Sequence, residues 1–329
     1  MNKILFVVSM LLITLSLASA EELKSSSTSS TFKTSRIVGG EKSLPNAWPS
    51  TVALLDAVKA DQQDPFQAQF CGGSLIASKW VLTAAHCVVD NNTGVVINPS
   101  SLYALVGASN LLNDGQNITV KRIIVYPNYN HNTDDSDLAL LELDFHTNVT
   151  PISISVNDAP VDLLTTVVGW GELADGSGTF PVDLHEVEVP IVSRSICEST
   201  YGSDFTQNMI CAGYSEGKKD TCQSDSGGPL MGIQYEKYVQ IGVTSWGVGC
   251  AKPGFHGIYT RLSNFESWIK SYTGNSSYPS GGTNSWSKFY SSTVIKSSSG
   301  GGSLGNSLLF LLLISGLISL RRLVRKEDL

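Results

Sequence analysis

Hydrophobic and polar positions change their pattern several times along this chain. Ile4 to Leu17 is an apolar run broken only by Ser9, Thr14 and Ser16, with Lys3 ahead of it and Ala18-Ser19-Ala20 behind it. A short positive start, an apolar run too short for a bilayer span and a small-residue A-x-A end predict a secretory signal peptide over residues 1–20. Residues 21–36 are rich in Ser and Thr, have no apolar period and end on Arg36; they predict a flexible propeptide. From Ile37-Val38-Gly39-Gly40 to about Thr273 the pattern becomes short β-type runs between turn residues. Trp80-Val81-Leu82, Leu102 to Val106, Ile123 to Tyr126, Thr166 to Gly169 and Val239 to Thr244 are examples. Many short strands at such spacing predict an all-β sandwich or barrel domain over residues 37–273. Only Leu262 to Tyr272 reads as a helix, with Phe265, Trp268 and Ile269 on one face and Ser263 or Asn264 as cap.

Beyond that helix the pattern breaks again. Residues 274–299 are dominated by Ser and Gly, the composition of a flexible linker. Residues 300–329 run from Gly300-Gly301-Gly302-Ser303 through an apolar stretch, Leu304 to Leu320, to Arg321-Arg322-Leu323-Val324-Arg325-Lys326. That stretch is at the lower limit for crossing a bilayer, and its basic flank predicts a transmembrane segment with a cytoplasmic end.

Composition narrows the class. A net charge of −7 and a pI near 5.2 argue against a general nucleic-acid binder. With 42% apolar and 16% charged residues, the chain is too apolar for wholesale disorder. All 6 cysteines lie in the β segment: Cys71, Cys87, Cys197, Cys211, Cys222 and Cys250. Behind a signal peptide they predict three disulfides, and spacing alone leaves fifteen pairings open.

Three segments carry chemistry. Gln223-Ser224-Asp225-Ser226-Gly227-Gly228-Pro229 places a serine among glycines that let backbone approach a substrate. Leu82-Thr83-Ala84-Ala85-His86-Cys87 sets a histidine after a strand, and Ser136-Asp137-Leu138-Ala139-Leu140-Leu141 opens an apolar run with an aspartate. Singly, each has a bland reading as loop serine, core histidine or turn aspartate.

Together with Ile37-Val38-Gly39-Gly40 and Ser245-Trp246-Gly247, these segments resemble the trypsin-like serine proteases of the chymotrypsin fold, in the chain order His, Asp, Ser. The resemblance implies an all-β fold of two antiparallel six-stranded β-barrels, a catalytic triad in the cleft between them and a C-terminal α-helix. It casts His86 as general base, Asp137 as the residue orienting it and Ser226 as nucleophile. The backbone N–H groups of Ser224 and Ser226 would form the oxyanion hole, and Ser245 would support Asp137 and substrate backbone. Asp220 would lie at the base of the primary specificity pocket, with Gly247 and Gly257 as its open walls, implying cleavage after Arg or Lys. His256 stands where many relatives have proline, and Ser224 where the motif has glycine. That second departure leaves one rival, a weak or inactive homologue serving as a surface binding module. His131, His146, His185 and His256 are read as surface residues.

The same resemblance implies a zymogen. Cleavage after Arg36, by another trypsin-like protease or a second copy, would free an ammonium on Ile37 to pair with Asp225. It implies the pairs Cys71–Cys87, Cys197–Cys211 and Cys222–Cys250. The loop from Gly107 to Gln116 has Ala108 and Gln116 where calcium-binding relatives carry carboxylates, so neither a metal nor a cofactor is expected. The tail resembles the GlyGly-CTERM sorting signal of Gram-negative bacteria, implying membrane anchoring, a rhomboid-type sorting protease as partner and a secreted or cell-surface destination. Protein or peptide substrates are the remaining partners, and nucleic acid is not one.

Overall fold

A computed structural model describes residues 39–274 apart from Lys218 and Tyr235. The signal-peptide, propeptide, linker and tail expectations, with Arg36 and Ile37, lie outside the described residues.

The chain opens with a two-residue strand, β1 (Glu41–Lys42), and then builds a closed barrel. Its strands are β2 (Thr51–Asp56), β3 (Gln69–Ala77), β4 (Trp80–Thr83), β5 (Leu102–Val106), β6 (Gln116–Val125) and β7 (Ala139–Leu143), neighbours in the order β2-β3-β4-β7-β6-β5. Strands β2, β4 and β7 are buried almost along their whole length, so they read as continuous apolar runs. Closure leaves no unpaired edge on this barrel. Glu142 is the one acid among the buried β7 positions. Hydrogen bonds from Lys79 and Arg122 hold its carboxyl down to about 2.

A short strand, β8 (Ser153–Ile154), leads to a second sheet. It contains β9 (Leu164–Gly169), β10 (His185–Pro190), β11 (Met209–Ala212), β12 (Pro229–Gln234), β13 (Lys237–Trp246) and β14 (Gly257–Arg261). The order is β1-β10-β9-β12-β13-β14-β11, with β8 parallel to β13. Along β10 burial alternates residue by residue, the signature of one covered face.

This second unit differs from the expected six-stranded barrel. It is a half-barrel in which β10 and β11 meet through one isolated bridge, between Ile191 just past β10 and Ala212 of β11. Two further backbone bonds hold the seam, Val192 N–H to the Cys211 carbonyl at 3.0 Å and Gly213 N–H to the Pro190 carbonyl at 3.0 Å. Pro190 has no N–H to donate and β11 is only four residues long, so no ladder forms.

Among the described residues four α-helices punctuate the strands: α1 (Ala57–Gln62), α2 (Pro65–Ala68), α3 (Arg194–Tyr201) and α4 (Glu266–Thr273). The sequence pattern gave only the last. Asp56 and Asp64 cap α1 and α2 by accepting from the Lys59 and Gln67 N–H groups. The expected terminal helix is split into a 3-10 turn, Leu262–Phe265, followed by α4. Neither Ser263 nor Asn264 caps it. Ser263 donates instead to Asp158, and Asn264 to the Gln207 carbonyl. Among the described residues no helix is long and apolar enough to cross a membrane; Leu304 to Leu320 lies outside them.

Candidate active site

The first core does not stop at the closed barrel. Val168, Trp170, Met231 and Val243 of the second unit pack into it beside Leu138 and Leu140. Along this seam the fold gathers the polar residues singled out above. His86 lies in the 3-10 turn Ala85–Cys87 directly after β4. Asp137 precedes β7 and is fully buried. Its Oδ2 is 2.7 Å from His86 Nδ1 and accepts from Ser245 Oγ at 2.6 Å, while Oδ1 accepts from the His86 N–H at 2.9 Å. Thr260 Oγ1 donates to the Asp137 carbonyl at 2.7 Å. Asp137 is therefore held from both sheets.

These bonds set the charges. Burial opposes ionisation of Asp137, but the His86 charge and the hydrogen bonds to its carboxylate prevail and hold its carboxyl below the usual range. Burial would likewise lower the His86 imidazole, and the Asp137 charge and hydrogen bond more than offset it, so its pKa is raised.

Ser226 lies on the loop just ahead of β12. Its carbonyl accepts from the Gly72 N–H at 2.7 Å, which ties the serine loop to β3. Cys87 Sγ is 3.5 Å from that carbonyl and 3.8 Å from His86 Nε2. Among the described residues no hydrogen bond joins Ser226 Oγ to His86. Neither the Ser224 nor the Ser226 N–H has an acceptor among them, so both are free to donate. Ser224 adopts φ 70°, a left-handed conformation that costs a non-glycine residue about 1–2 kcal/mol. Gln69 Nε2 donates to its carbonyl at 3.0 Å and so holds this strained turn.

Ser226 also stands on the rim of a 240 Å³ cavity lined by Asp220, Ser245, Gly247, Cys250 and Gly257. Asp220 sits in its wall, 5% exposed. Its Oδ1 accepts from the Thr221 N–H at 2.9 Å and its Oδ2 from the Ala251 N–H at 3.0 Å. Burial outweighs these bonds and pushes the carboxyl up to about 6. A side chain at Gly257 would place Cβ 2.8 Å from Asp220 Oδ1, so only glycine leaves that carboxylate open. The cavity can therefore take a long side chain ending in a cation.

Asp225 faces the other way, into the protein. It accepts from the Gly171 N–H at 2.7 Å and the Cys222 N–H at 3.0 Å. Burial pushes its carboxyl up to about 7, and no cation among the described residues pairs with it. Any Cβ on Gly171 would fall 2.3 Å from its carboxylate, so this approach requires glycine.

The disulfides are Cys71–Cys87, Cys197–Cys211 and Cys222–Cys250. Two of them brace the site, one beside the imidazole and one in the cavity wall. The histidines divide. His131 and His146 are exposed, but His185 and His256 are buried, contrary to the surface reading. His185 faces the covered side of β10, and His256 lies in the chain entering β14, where Tyr201 Oη bonds its backbone. Sequence reasoning passed over Gln69, Thr260 and Asp134. Of these only Asp134 gave a signal, as part of the acidic run Asp134-Asp135-Ser136-Asp137.

A barrel and half-barrel with serine, histidine and aspartate gathered at their seam define a serine peptidase domain. Residues 37–269 match the protein family described as Trypsin. The chain is 37% identical over 242 residues to trypsin-1 of Astacus astacus, covering 71% of this chain and 98% of that protein. It is also 37% identical to trypsin 5G1 of Aedes aegypti over 247 residues, 73% of this chain and 85% of the relative. Trypsin I-P1 of Gallus gallus is 37% identical over 244 residues, 71% and 88%. This chain belongs to the trypsin family and is a serine endopeptidase.

Proposed function

We propose that the enzyme is made as a zymogen and cleaves peptide bonds after Arg or Lys. The observation that carries this reading is the buried Asp220 carboxylate in a cavity whose rim holds Ser226. A desolvated carboxylate without a fixed cation favours a substrate that brings one.

The roles follow from chemistry. A serine hydroxyl is a weak nucleophile at neutral pH. His86 accepts the Ser226 proton as Oγ attacks the substrate carbonyl, then returns it to the leaving amine. Asp137 keeps Nδ1 protonated and stabilises the imidazolium. The Ser224 and Ser226 N–H groups receive the tetrahedral oxyanion. Water, deprotonated by His86, then releases the acyl group from Ser226. In apo enzymes such hydrogen bonds are often long and tighten with substrate, which accommodates the unmade Ser226–His86 bond.

Cleavage after Arg36 would supply an ammonium for Asp225, whose buried carboxylate otherwise has only backbone donors. The N-terminal pattern supports secretion, and the glycine-led apolar tail supports anchoring and sorting at a cell surface.

The test compares Arg, Lys, Phe and Ala peptide amides near pH 8, using protein cut after Arg36, uncut protein and cut Ser226→Ala. Turnover of Arg and Lys amides by the cut, unmutated form alone is expected. Equal turnover of Phe amides would remove Asp220 from the specificity argument, and activity in the uncut form would remove the zymogen.

A further inference from the structure

Asp134 is a carboxylate beside the reacting centre that the proton relay leaves unused. It lies on the loop between β6 and β7, half-buried, with φ 50°. One donor atom each from His86, Asp134 and Asp137 lie within 4.8 Å of one another. Its neighbours are spent on structure. Thr206 Oγ1 and Asn208 Nδ2 donate to Asp135, and both Asp137 oxygens are engaged by His86 and Ser245. Among the described residues Asp134 receives one hydrogen bond, from Tyr129 Oη at 2.9 Å. An ionised carboxylate has about four acceptor sites, so most of its capacity is unfilled.

The surrounding charges make that capacity costly. Burial and then the Asp137 charge raise the Asp134 carboxyl, while Tyr129, His86 and the exposed His131 pull the other way. A general base must rest as neutral imidazole, so in the resting enzyme two carboxylates face each other with no full positive charge between them.

The position of Asp134 indicates which part of a substrate meets it. Cys87 Sγ lies 3.8 Å from His86 Nε2, and its disulfide partner Cys71 is bonded through its carbonyl to Gln69, which also holds the Ser224 carbonyl. The loop carrying Asp134 is tied to the second sheet, through Asn208 to Asp135 and through Ser245 to Asp137. Ser245 and Gly247 also line the Asp220 cavity. The acyl part of a substrate whose side chain fills that cavity therefore runs along Ser245–Gly247 toward Asp134. Successive side chains of an extended peptide point to opposite sides. With one directed at Asp220, the preceding one turns to His86 and Asp134.

We infer that Asp134 and Tyr129 form a subsite for a Lys or Arg side chain immediately before the cleaved residue, making paired basic residues the preferred substrate. This rests on the proposed cleavage after Arg or Lys. It also has a consequence within the chain: Ser35 precedes Arg36, so the enzyme is a poor activator of its own precursor.

The experiment measures kcat/KM at pH 8 for Lys-Arg, Ala-Arg and Glu-Arg amides with one leaving group, using cut enzyme and its Asp134→Asn and Asp134→Glu variants. The native enzyme is expected to favour Lys-Arg over Ala-Arg by roughly fivefold to tenfold, with Glu-Arg last, as for a part-exposed charge-assisted contact. Asp134→Asn should bring the Lys-Arg to Ala-Arg ratio close to one, and Asp134→Glu should keep much of it. Each ratio is internal to one variant, so a partial loss of folded enzyme does not move it. A native ratio near one overturns the inference. So does an equal loss on all three substrates with a displaced acid limb in the pH profile, which would confine Asp134 to His86. If no Arg amide is cut, cleavage after Arg itself fails; if all are cut alike, only the subsite fails.

Discussion

At the scale of single residues, two carboxylates, Asp220 buried and Asp134 half-buried, would carry the proposed recognition, and they were unequally visible. Asp220 was readable because it lies six residues before Ser226 in a motif whose spacing is fixed by one tight loop. Asp134 was not, because its meaning comes from β6 and β7 bringing a loop over His86, a long-range contact that local pattern does not encode. Ser224 was visible as a departure, but its left-handed backbone and the Gln69 bond that holds it emerge only in three dimensions. Asp220 also makes a prediction. Its carboxyl is pushed up to about 6 by burial, and it binds a cation only when ionised. As pH falls, kcat should drop first, because His86 is held above its ordinary imidazole value, and KM for Arg amides should then rise by about tenfold per unit as pH passes below about 6. Steady-state kinetics between pH 5 and 8 measures this, and a flat KM across that range would refute it. Stability moves in the opposite sense. A raised carboxyl pKa means that the ionised form costs the folded state free energy above the folded value. Asp220→Asn should therefore melt higher than the native protein at pH 8, and the difference should vanish near pH 4.

Among elements, the strands written as continuous apolar runs were legible and the elements defined by caps or seams were not. Trp80–Thr83 and Leu102–Val106 emerge nearly as their patterns suggest, because one residue type, the buried aliphatic, sets both signal and structure. Helices α1 and α2 are a turn or so long and begin at Asp56 and Asp64, so they have side-chain caps but almost no apolar period. The half-barrel seam follows from Pro190 and a four-residue β11, which no average of propensity reveals. Helix α4 shows how an element of eight residues holds its place. Ile269 is fully buried in the first core, Tyr126 meets Phe265 and Trp268 edge-on, and Tyr272 lies 5.9 Å from Trp80. Such a helix is marginal alone, so packing must supply its stability. Ile269→Ala should destabilise the domain by about 2–4 kcal/mol, combining lost transfer energy with the cavity left behind. Thermal unfolding should show a drop of several degrees, with activity on Arg amides retained at 25 °C. A change below one degree would mean that the helix is dispensable to the barrel it covers.

For the molecule as a whole, the proposed activation would make Asp225 link covalent state to stability. In the described structure its carboxyl is raised to about 7, with burial opposed only by the Gly171 and Cys222 N–H groups. For an acid whose folded pKa exceeds its unfolded value, ionisation costs the fold free energy, and that cost is complete above the folded pKa. An ammonium freed by cleavage after Arg36 would reverse the sign. A paired carboxylate has a depressed pKa, and its stabilisation is present at pH 8 and lost as pH falls through the new, lower value. The difference between cut and uncut protein should therefore depend on pH in a defined way. With Ser226→Ala in both forms to prevent digestion, calorimetry at pH 8 should place the cut form higher by several degrees. For a domain of this size each kcal/mol is worth about 2–4 °C. The gap should narrow below pH 7, where the uncut form relieves its strain by protonating Asp225. Asp225→Asn should erase both the gap and its pH dependence, because an amide cannot accept the ammonium as a counter-charge. Identical melting of cut and uncut forms across that range would show that Asp225 does not receive the new terminus, and the switch would have to be sought in another buried acid.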